Sequence, residues 1–192
     1  HGKSEANEQG IIVSHPENGV TSYGLSEEGW GQVRAAAKAL EEAVGGKEGL
    51  SHVVVYASDF LRTRETAEEL LRSMGQSASD VYLVRALRER NFGELELTDH
   101  ARYNDVWQHD SKSGEHTEFG SESAWSVRCR TTELVQRLER EWEGKAIVLV
   151  SHGDALQILQ TAFKGCEVTE HRSLPHLNPA ELRELKAEVQ HP

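Results

Sequence analysis

The chain runs to 192 residues, with 32 acidic and 21 basic side chains and a net charge of −11. That length makes one domain of ordinary size, able to bury roughly 70% of the surface its unfolded chain exposes. The longest apolar runs, Val53–Ala57 and Ala146–Val150, are far too short to cross a bilayer, and the acidic balance argues against a nucleic acid or an anionic membrane as main partner. Cys129 and Cys166 make neither a disulfide framework nor a zinc quartet, and no signal-peptide pattern is visible, so a cytoplasmic setting is the default expectation. Residue 1 is a histidine, followed by Gly2.

Short uncharged runs alternate with longer amphipathic ones. The first helix is expected from Ser26 to Val44: Trp30, Val33, Ala37, Leu40 and Val44 recur at three or four residues, Ser26 is the N-cap, and Gly45-Gly46 stops it. A strand follows at Val53–Ala57, then a helix from Asp59 to Met74, then a strand at Val81–Val84. The Ser-, Gly- and His-rich stretch from Asp110 to Gly120 is the best loop or lid candidate. A long helix is expected over Ser121–Trp142, a strand over Ala146–Ser151, and a helix over Ala155–Phe163 closed by Gly165. Asn178-Pro179-Ala180-Glu181 announces a last helix, with Asn as cap and Pro at the first helical position. The alternation predicts one α/β domain over 1–192, a three-layer sandwich with a mostly parallel sheet between helices. Three strands make a thin sheet for five helices, and the helix from Ser26 has no strand before it, so a further strand is expected upstream of His1.

Ligands of parallel α/β sheets bind beyond the carboxyl ends of the strands. Ser58 and, one turn into the next helix, Arg62 lie past the first strand; Arg88-Glu89-Arg90 lies past the second, a carboxylate set between two guanidinium groups; Ser151-His152-Gly153 lies past the third. With a strand ahead of it, His1-Gly2 takes the equivalent fourth place. A neutral imidazole can attack phosphorus, a second histidine and an arginine can neutralise phosphoryl oxygens, and a carboxylic acid can protonate a departing alkoxide. Neither His-Glu-x-x-His, paired Cys-x-x-Cys nor an Asp-x-Asp cluster occurs, so no metal or other cofactor is expected.

The series His1-Gly2-x-Ser4-x-x-Asn7, Leu25-Ser26-x-x-Gly29-x-x-Gln32, Ser58-x-x-x-Arg62-Thr63-x-x-Thr66-Ala67, Leu87-x-Glu89-x-x-x-Gly93 and Val150-Ser151-His152-Gly153 resembles the histidine phosphatase, or phosphoglycerate-mutase-like, superfamily in order and spacing. The resemblance implies a phosphoglycerate-mutase-like sheet flanked by helices and a two-step phosphoryl transfer. It makes His1 the residue that becomes phosphorylated, Arg62 and His152 the groups that bind the transferring phosphoryl, and Glu89 the proton donor and later the base for water. Asn7 would reach the phosphate or the substrate, Gly2 and Gly153 would let backbone pass close to the ligand, and Ser58 would orient its neighbours. Gly120-Ser121-Glu122-Ser123 is similar to the family's Gly-Glu-Ser stretch with one residue inserted, which sets Ser123 near the pocket. The family signature is Arg-His-Gly at the end of the first strand, so the resemblance also implies an arginine before His1 and an N-terminally trimmed domain. After Gly93, Glu94-Leu95-Glu96-Leu97 lacks the family's glycine and leaves the local turn open.

The expected activity is hydrolysis of a small phosphomonoester through a phosphohistidine. One alternative is a phosphoglycerate-type mutase; mutases of the family carry a basic, proline-rich stretch after the glutamate segment, whereas Leu97–Tyr103 has one arginine and no proline. The other is a catalytically inactive member that binds a ligand or partner. The oligomeric state is open. His100, His109, His116, His171, His176 and His191 show no ligand spacing and read as solvated or loop residues. Trp30, Trp125 and Trp142 read as core or half-buried, while Trp107, beside the lid candidate, is the tryptophan suited to line a pocket.

Overall fold

A computed structural model describes residues 1–187. Its sheet has three parallel strands, β1 (Val53–Ala57), β2 (Val81–Leu83) and β3 (Ala146–Val150), in the order β2-β1-β3. Val55 pairs with Val81 on one side and Val148 on the other. The helices that matter for the site are α1 (Glu5–Gln9), α2 (Glu27–Ala43), α3 (Leu61–Ser73), α4 (Tyr103–Asp110), α5 (Ala124–Glu141) and α6 (Gly153–Lys164).

The pleat divides the strands between two layers. Val53, Val55 and Ala57 of β1, with Val148 and Val150 of β3, pack on Ala67 and Leu71 of α3, and Val33, Ala37 and Leu40 of α2 close the layer beyond. Val54 and Tyr56, with Ile147 and Leu149, face Leu134 and Leu138 of α5 on the other side. The three-layer α/β sandwich is therefore present, because each apolar strand face needs its own cover. A smaller cluster of Ile12, Phe92, Leu95 and Val106 packs the loops above the strand ends. Along the outer edge of β3, unpaired among the described residues, runs an apolar groove of about 870 Å³ between α2 and α5.

Four expectations are corrected. Asn178–Glu181 starts no helix: Ala180 takes a left-handed φ of 57°, and 181–187 carries no regular structure. Glu181 does accept from the Asn178 backbone and side-chain amides at 2.8 and 3.0 Å, as a cap pair would, but the Ala180 N–H is taken by the His1 carbonyl at 2.8 Å, so a tertiary contact stops the turn from propagating. Asp110 is no part of a free lid: it ends α4, a helix without counterpart in the sequence expectations, and is fully buried. Its carboxylate receives Arg90, His116 and His171, so those two histidines are hydrogen-bond partners of a buried carboxylate rather than solvated residues, and His171 is itself fully buried. Trp125 lies exposed on the outer face of α5. His191 lies outside the described residues.

Candidate active site

A cleft of about 290 Å³ opens above the carboxyl ends of the strands, lined by His1, Arg62, Glu89, Tyr103, Trp107 and His152 among others. The larger groove beside β3 is walled mainly by aliphatic side chains, whereas this smaller cleft gathers titratable groups, and His1, Arg62, Glu89 and His152 reach it from four separate segments. His1 comes from the N-terminal segment that leads to α1, Arg62 from the first turn of α3, Glu89 from the loop after β2, and His152 from the residue that caps α6.

The His1 ring is oriented at both nitrogens. Nδ1 lies 2.7 Å from the Gly2 carbonyl, which can only accept, so Nδ1 carries the proton. Nε2 is then the lone-pair nitrogen, and Arg62 Nε–H donates to it at 3.3 Å. Arg62 is buried, and burial pushes its guanidinium below its ordinary pKa while Glu89 pulls the other way. Its Nη2 is fixed on the Val13 carbonyl at 2.9 Å, and its Nη1 is buried with no partner.

His152 stands edge-on to His1, ring centroids 5.2 Å apart. It is fully buried, and burial, reinforced by Arg62, holds it well below the ordinary imidazole range, so it is neutral near pH 7. Ser58 decides its tautomer. Ser58 Oγ accepts from the Phe60 N–H at 3.3 Å, and among the described residues the acceptor within reach of its hydroxyl proton is His152 Nε2 at 2.9 Å, which assigns Nε2 as the accepting nitrogen. Nδ1 therefore bears the hydrogen, and it too is buried without a partner. Among the described residues the cleft thus contains two orphaned donors, Arg62 Nη1 and His152 Nδ1, an arrangement a bound anion would satisfy.

The expectation that Glu89 sits between two guanidinium groups is corrected. Arg88 turns away to a bidentate pair with Asp59 at 2.6 and 2.7 Å, and Arg90 turns into the interior to Asp110 at 2.7 and 2.8 Å and to Asp154 at 3.4 Å. Successive side chains of an extended segment point apart, so neither arginine reaches the carboxyl between them. Glu89 Oε1 accepts instead from the backbone N–H groups of Arg90 and Ala155 at 2.9 and 3.2 Å. Burial, with the Asp154 carboxylate nearby, raises the Glu89 pKa to about 7. Such a carboxyl can give a proton and take it back at neutral pH.

The remaining expected residues divide. Ser58 and Gly153 are at the site; a Cβ on Gly153 would approach the His176 ring to 3.3 Å at the cleft mouth. Gly2 serves packing: a Cβ there would meet the Gly29 carbonyl of α2 at 2.7 Å. Asn7 borders the cleft, yet its side-chain oxygen takes the N–H and hydroxyl of Ser4, both at 2.9 Å, as the reciprocal half of the α1 cap. Ser123 caps α5 by accepting from Ser126 N–H at 3.1 Å and does not line the cleft. Trp107 does line it, with Nε1–H on Asp154 at 3.0 Å. Tyr103, stacked on Trp107 at 5.2 Å, joins it without having been singled out, and burial, reinforced by Glu89, pushes its phenol above the ordinary range, so it stays protonated. Arg130 also escaped sequence reading: from α5 it holds the carbonyls of Ala86, Arg88 and Glu89 at 2.7, 2.9 and 3.3 Å and thereby shapes the Glu89 loop. An arginine on an amphipathic helix carries no local sign that it faces inward.

Leu97 makes the turn that lacks the expected glycine, with φ of 60°, held by its N–H on the Ile12 carbonyl at 2.8 Å. Among the described residues no helix is long and apolar enough to cross a membrane, and no three His, Cys, Asp or Glu side chains converge to hold a metal ion.

The model of the histidine phosphatase superfamily (branch 1) matches residues 1–192. A 2,3-bisphosphoglycerate-dependent phosphoglycerate mutase of Methylobacterium radiotolerans is 27% identical over 172 residues, covering 86% of this chain and 76% of its own. The mycobacterial glucosyl-3-phosphoglycerate phosphatase solved with VO3 superposes with a TM-score of 0.74 at 26% identity, over 94% of this chain and 85% of that one. The same phosphatase solved with inorganic phosphate superposes with a TM-score of 0.69 at 25% identity, over 93% of this chain and 83% of its own.

Proposed function

The chain belongs to the histidine phosphatase superfamily, and we propose that it hydrolyses a small phosphomonoester through a phosphohistidine on His1. What carries this reading is the pair of buried, unpartnered donors, Arg62 Nη1 and His152 Nδ1–H, in the same cleft as the unprotonated Nε2 of His1. Together they suit a tetrahedral dianion held against a nucleophile.

In the first step the Nε2 lone pair attacks phosphorus and the ester P–O bond breaks. The departing alkoxide takes the Glu89 proton, and the Gly2 carbonyl steadies the positive charge that develops on the ring through Nδ1–H. In the second, Glu89, now a carboxylate, takes a proton from water as the water oxygen bonds to phosphorus. The P–N bond breaks, phosphate leaves and His1 is regenerated. Ser58 keeps His152 in the donor tautomer throughout.

Transfer back to a substrate, as in a mutase, is the second reading, and the name of the Methylobacterium relative favours it. Hydrolysis is preferred because Arg102, the arginine of the Leu97–Tyr103 stretch, pairs with Asp105 at 2.9 Å and lies outside the cleft. Incubation with a phosphomonoester labelled in the phosphoryl group, followed by rapid quench, should leave acid-labile label on His1 with release of inorganic phosphate. His1→Ala should lose the label and at least about a thousandfold in turnover. Full turnover in His1→Ala would overturn the reading, and an isomeric ester in place of inorganic phosphate would identify a mutase.

A further inference from the structure

The loop that carries Glu89 has no hydrogen-bond ladder of its own. Residues 88–91 lie between the 3₁₀ turns Arg85–Leu87 and Gly93–Leu95 and form no regular element, so their carbonyls depend on donors from elsewhere in the chain. Arg130 of α5 reaches across to them. Its Nη1 donates to the Ala86 and Arg88 carbonyls at 2.7 and 2.9 Å, and its Nη2 to the Glu89 carbonyl at 3.3 Å. The Leu87 carbonyl, among these three, takes the hydroxyl of Ser151 at 2.7 Å, one residue ahead of His152.

The rest of the guanidinium is committed to a carboxylate. Nε and Nη2 donate to the two carboxylate oxygens of Glu122 at 2.9 and 3.0 Å, so all five N–H bonds of Arg130 have an acceptor. Glu122 is tied to the same loop through its backbone. Its N–H donates to the Asn91 carbonyl at 2.7 Å, and its carbonyl accepts from Arg90 Nε at 2.7 Å. Burial would raise the Glu122 carboxyl, but Arg130 overrides it and holds the group below the usual carboxylate range, so the pair stays ionic near pH 7.

We propose that Arg130, clamped on Glu122, is a positioning residue for the proton donor: it fixes the loop so that the Glu89 carboxyl stays seated at the N-terminus of α6. This rests on the reading of Glu89 as the acid. The seat is the Ala155 backbone N–H at 3.2 Å, and the charged or titratable groups facing the carboxyl are Asp154 of α6, Arg62 of α3, Tyr103 of α4 and the His1 amino group. Burial and Asp154 favour the protonated carboxyl there, so one released from the seat gains water and ionises at lower pH. Three carbonyls and two carboxylate oxygens call for a planar fork of five donors, which a lysine ammonium does not offer. A displacement of about 1 Å is enough to cost a catalytic group about 100-fold.

The test titrates Glu89 directly, in protein labelled with 13C at the glutamate carboxyls and with the Glu89 signal assigned by its loss in Glu89→Gln. The midpoint should lie at about 7 in wild type and fall by at least about one pH unit in Arg130→Lys. With glycerol 3-phosphate and p-nitrophenyl phosphate as probes, the alkyl-to-nitrophenyl ratio of kcat/KM at pH 7 should fall at least about tenfold in that variant, because only the alkoxide needs the proton. Glu122→Gln loosens the clamp from its other end. It should move both readouts the same way by less, and it carries the test if Arg130→Lys does not fold. A Glu89 midpoint at the wild-type value in a folded variant, or equal losses on the two esters, would overturn the proposal and leave Arg130 a purely structural role. A midpoint that shifts as expected in a protein whose wild type forms no phosphohistidine would overturn the catalytic reading alone.

Discussion

At the scale of single residues, Glu89 has the most consequential environment. Burial, with the Asp154 carboxylate nearby, raises its pKa to about 7 from an ordinary value of 4.5, against the pull of Arg62 and of the backbone N–H groups of Arg90 and Ala155. In the proposed mechanism the protonated form is the acid, so hydrolysis of alkyl phosphates should fall as pH rises through about 7. Glu89→Gln should cost alkyl esters about 100-fold or more and a nitrophenyl ester far less, since nitrophenolate leaves without a proton. Equal losses on both would assign Glu89 a binding role. Stability carries the same signature. The folded state holds this proton more tightly than the unfolded chain, so the associated stabilisation is full below about 4.5 and is lost as pH rises through about 7. Glu89→Gln, which cannot ionise, should therefore melt above wild type at pH 8 by the equivalent of about 1–3 kcal/mol and converge with it near pH 5. Melting curves at the two pH values check this.

At the scale of elements, the floor of the site is a buried ionic junction. Asp110, the last residue of α4, joins the Glu89 loop through Arg90, the following loop through His116 and the 3₁₀ turn after α6 through His171. Burial alone would raise the Asp110 pKa, but hydrogen bonds from His171 and Arg90 override it and hold the carboxyl well below the usual range. Asp110→Asn would leave the fully buried Arg90 with only Asp154, at 3.4 Å, for its charge. A loss of about 3–5 kcal/mol is expected, the cost of breaking a buried pair from one side, measured as a lowered urea midpoint with unchanged slope. A variant as stable as wild type would show the junction to be dispensable. None of this junction was legible in the sequence, where Asp110, His116 and His171 stand apart in polar stretches that carry no periodicity.

At the scale of the whole molecule, the layers rank the strands. Among the described residues β1 alone is paired on both sides, and its Val55, Tyr56 and Ala57 are buried. β2 leaves Tyr82 and Leu83 47% and 45% exposed. In native-state hydrogen exchange the amides of β1 should be the slowest of the sheet and those of β2 at least about tenfold faster, because local opening needs less burial to be undone there. Comparable protection in both would contradict this ranking. The net charge of −11 lies over a molecule whose cleft presents Arg62 and Arg172, so the field inside the cleft is locally positive against a globally negative one.

Strands at 53–57, 81–83 and 146–150, the helices from Ser26 and Leu61, and the reactive residue past each strand were all readable from the chain, because apolar period, caps and strand ends are local properties. Arg62, Glu89 and His152 converge for the same reason, since parallel strands deliver their carboxyl ends to one rim, and His1 joins them with its amino group on the Ser151 carbonyl at 3.2 Å. Only the tertiary structure decided where the charges beside Glu89 went, since Arg88 and Arg90 chose carboxylates 29 and 20 residues away along the chain. It alone turned Asn178–Glu181 from a helix start into a strap across His1, and set Arg172 on Trp107. Buried charges settle with whichever partner the fold brings within reach in a low-dielectric interior, and that choice has no local signature in the sequence.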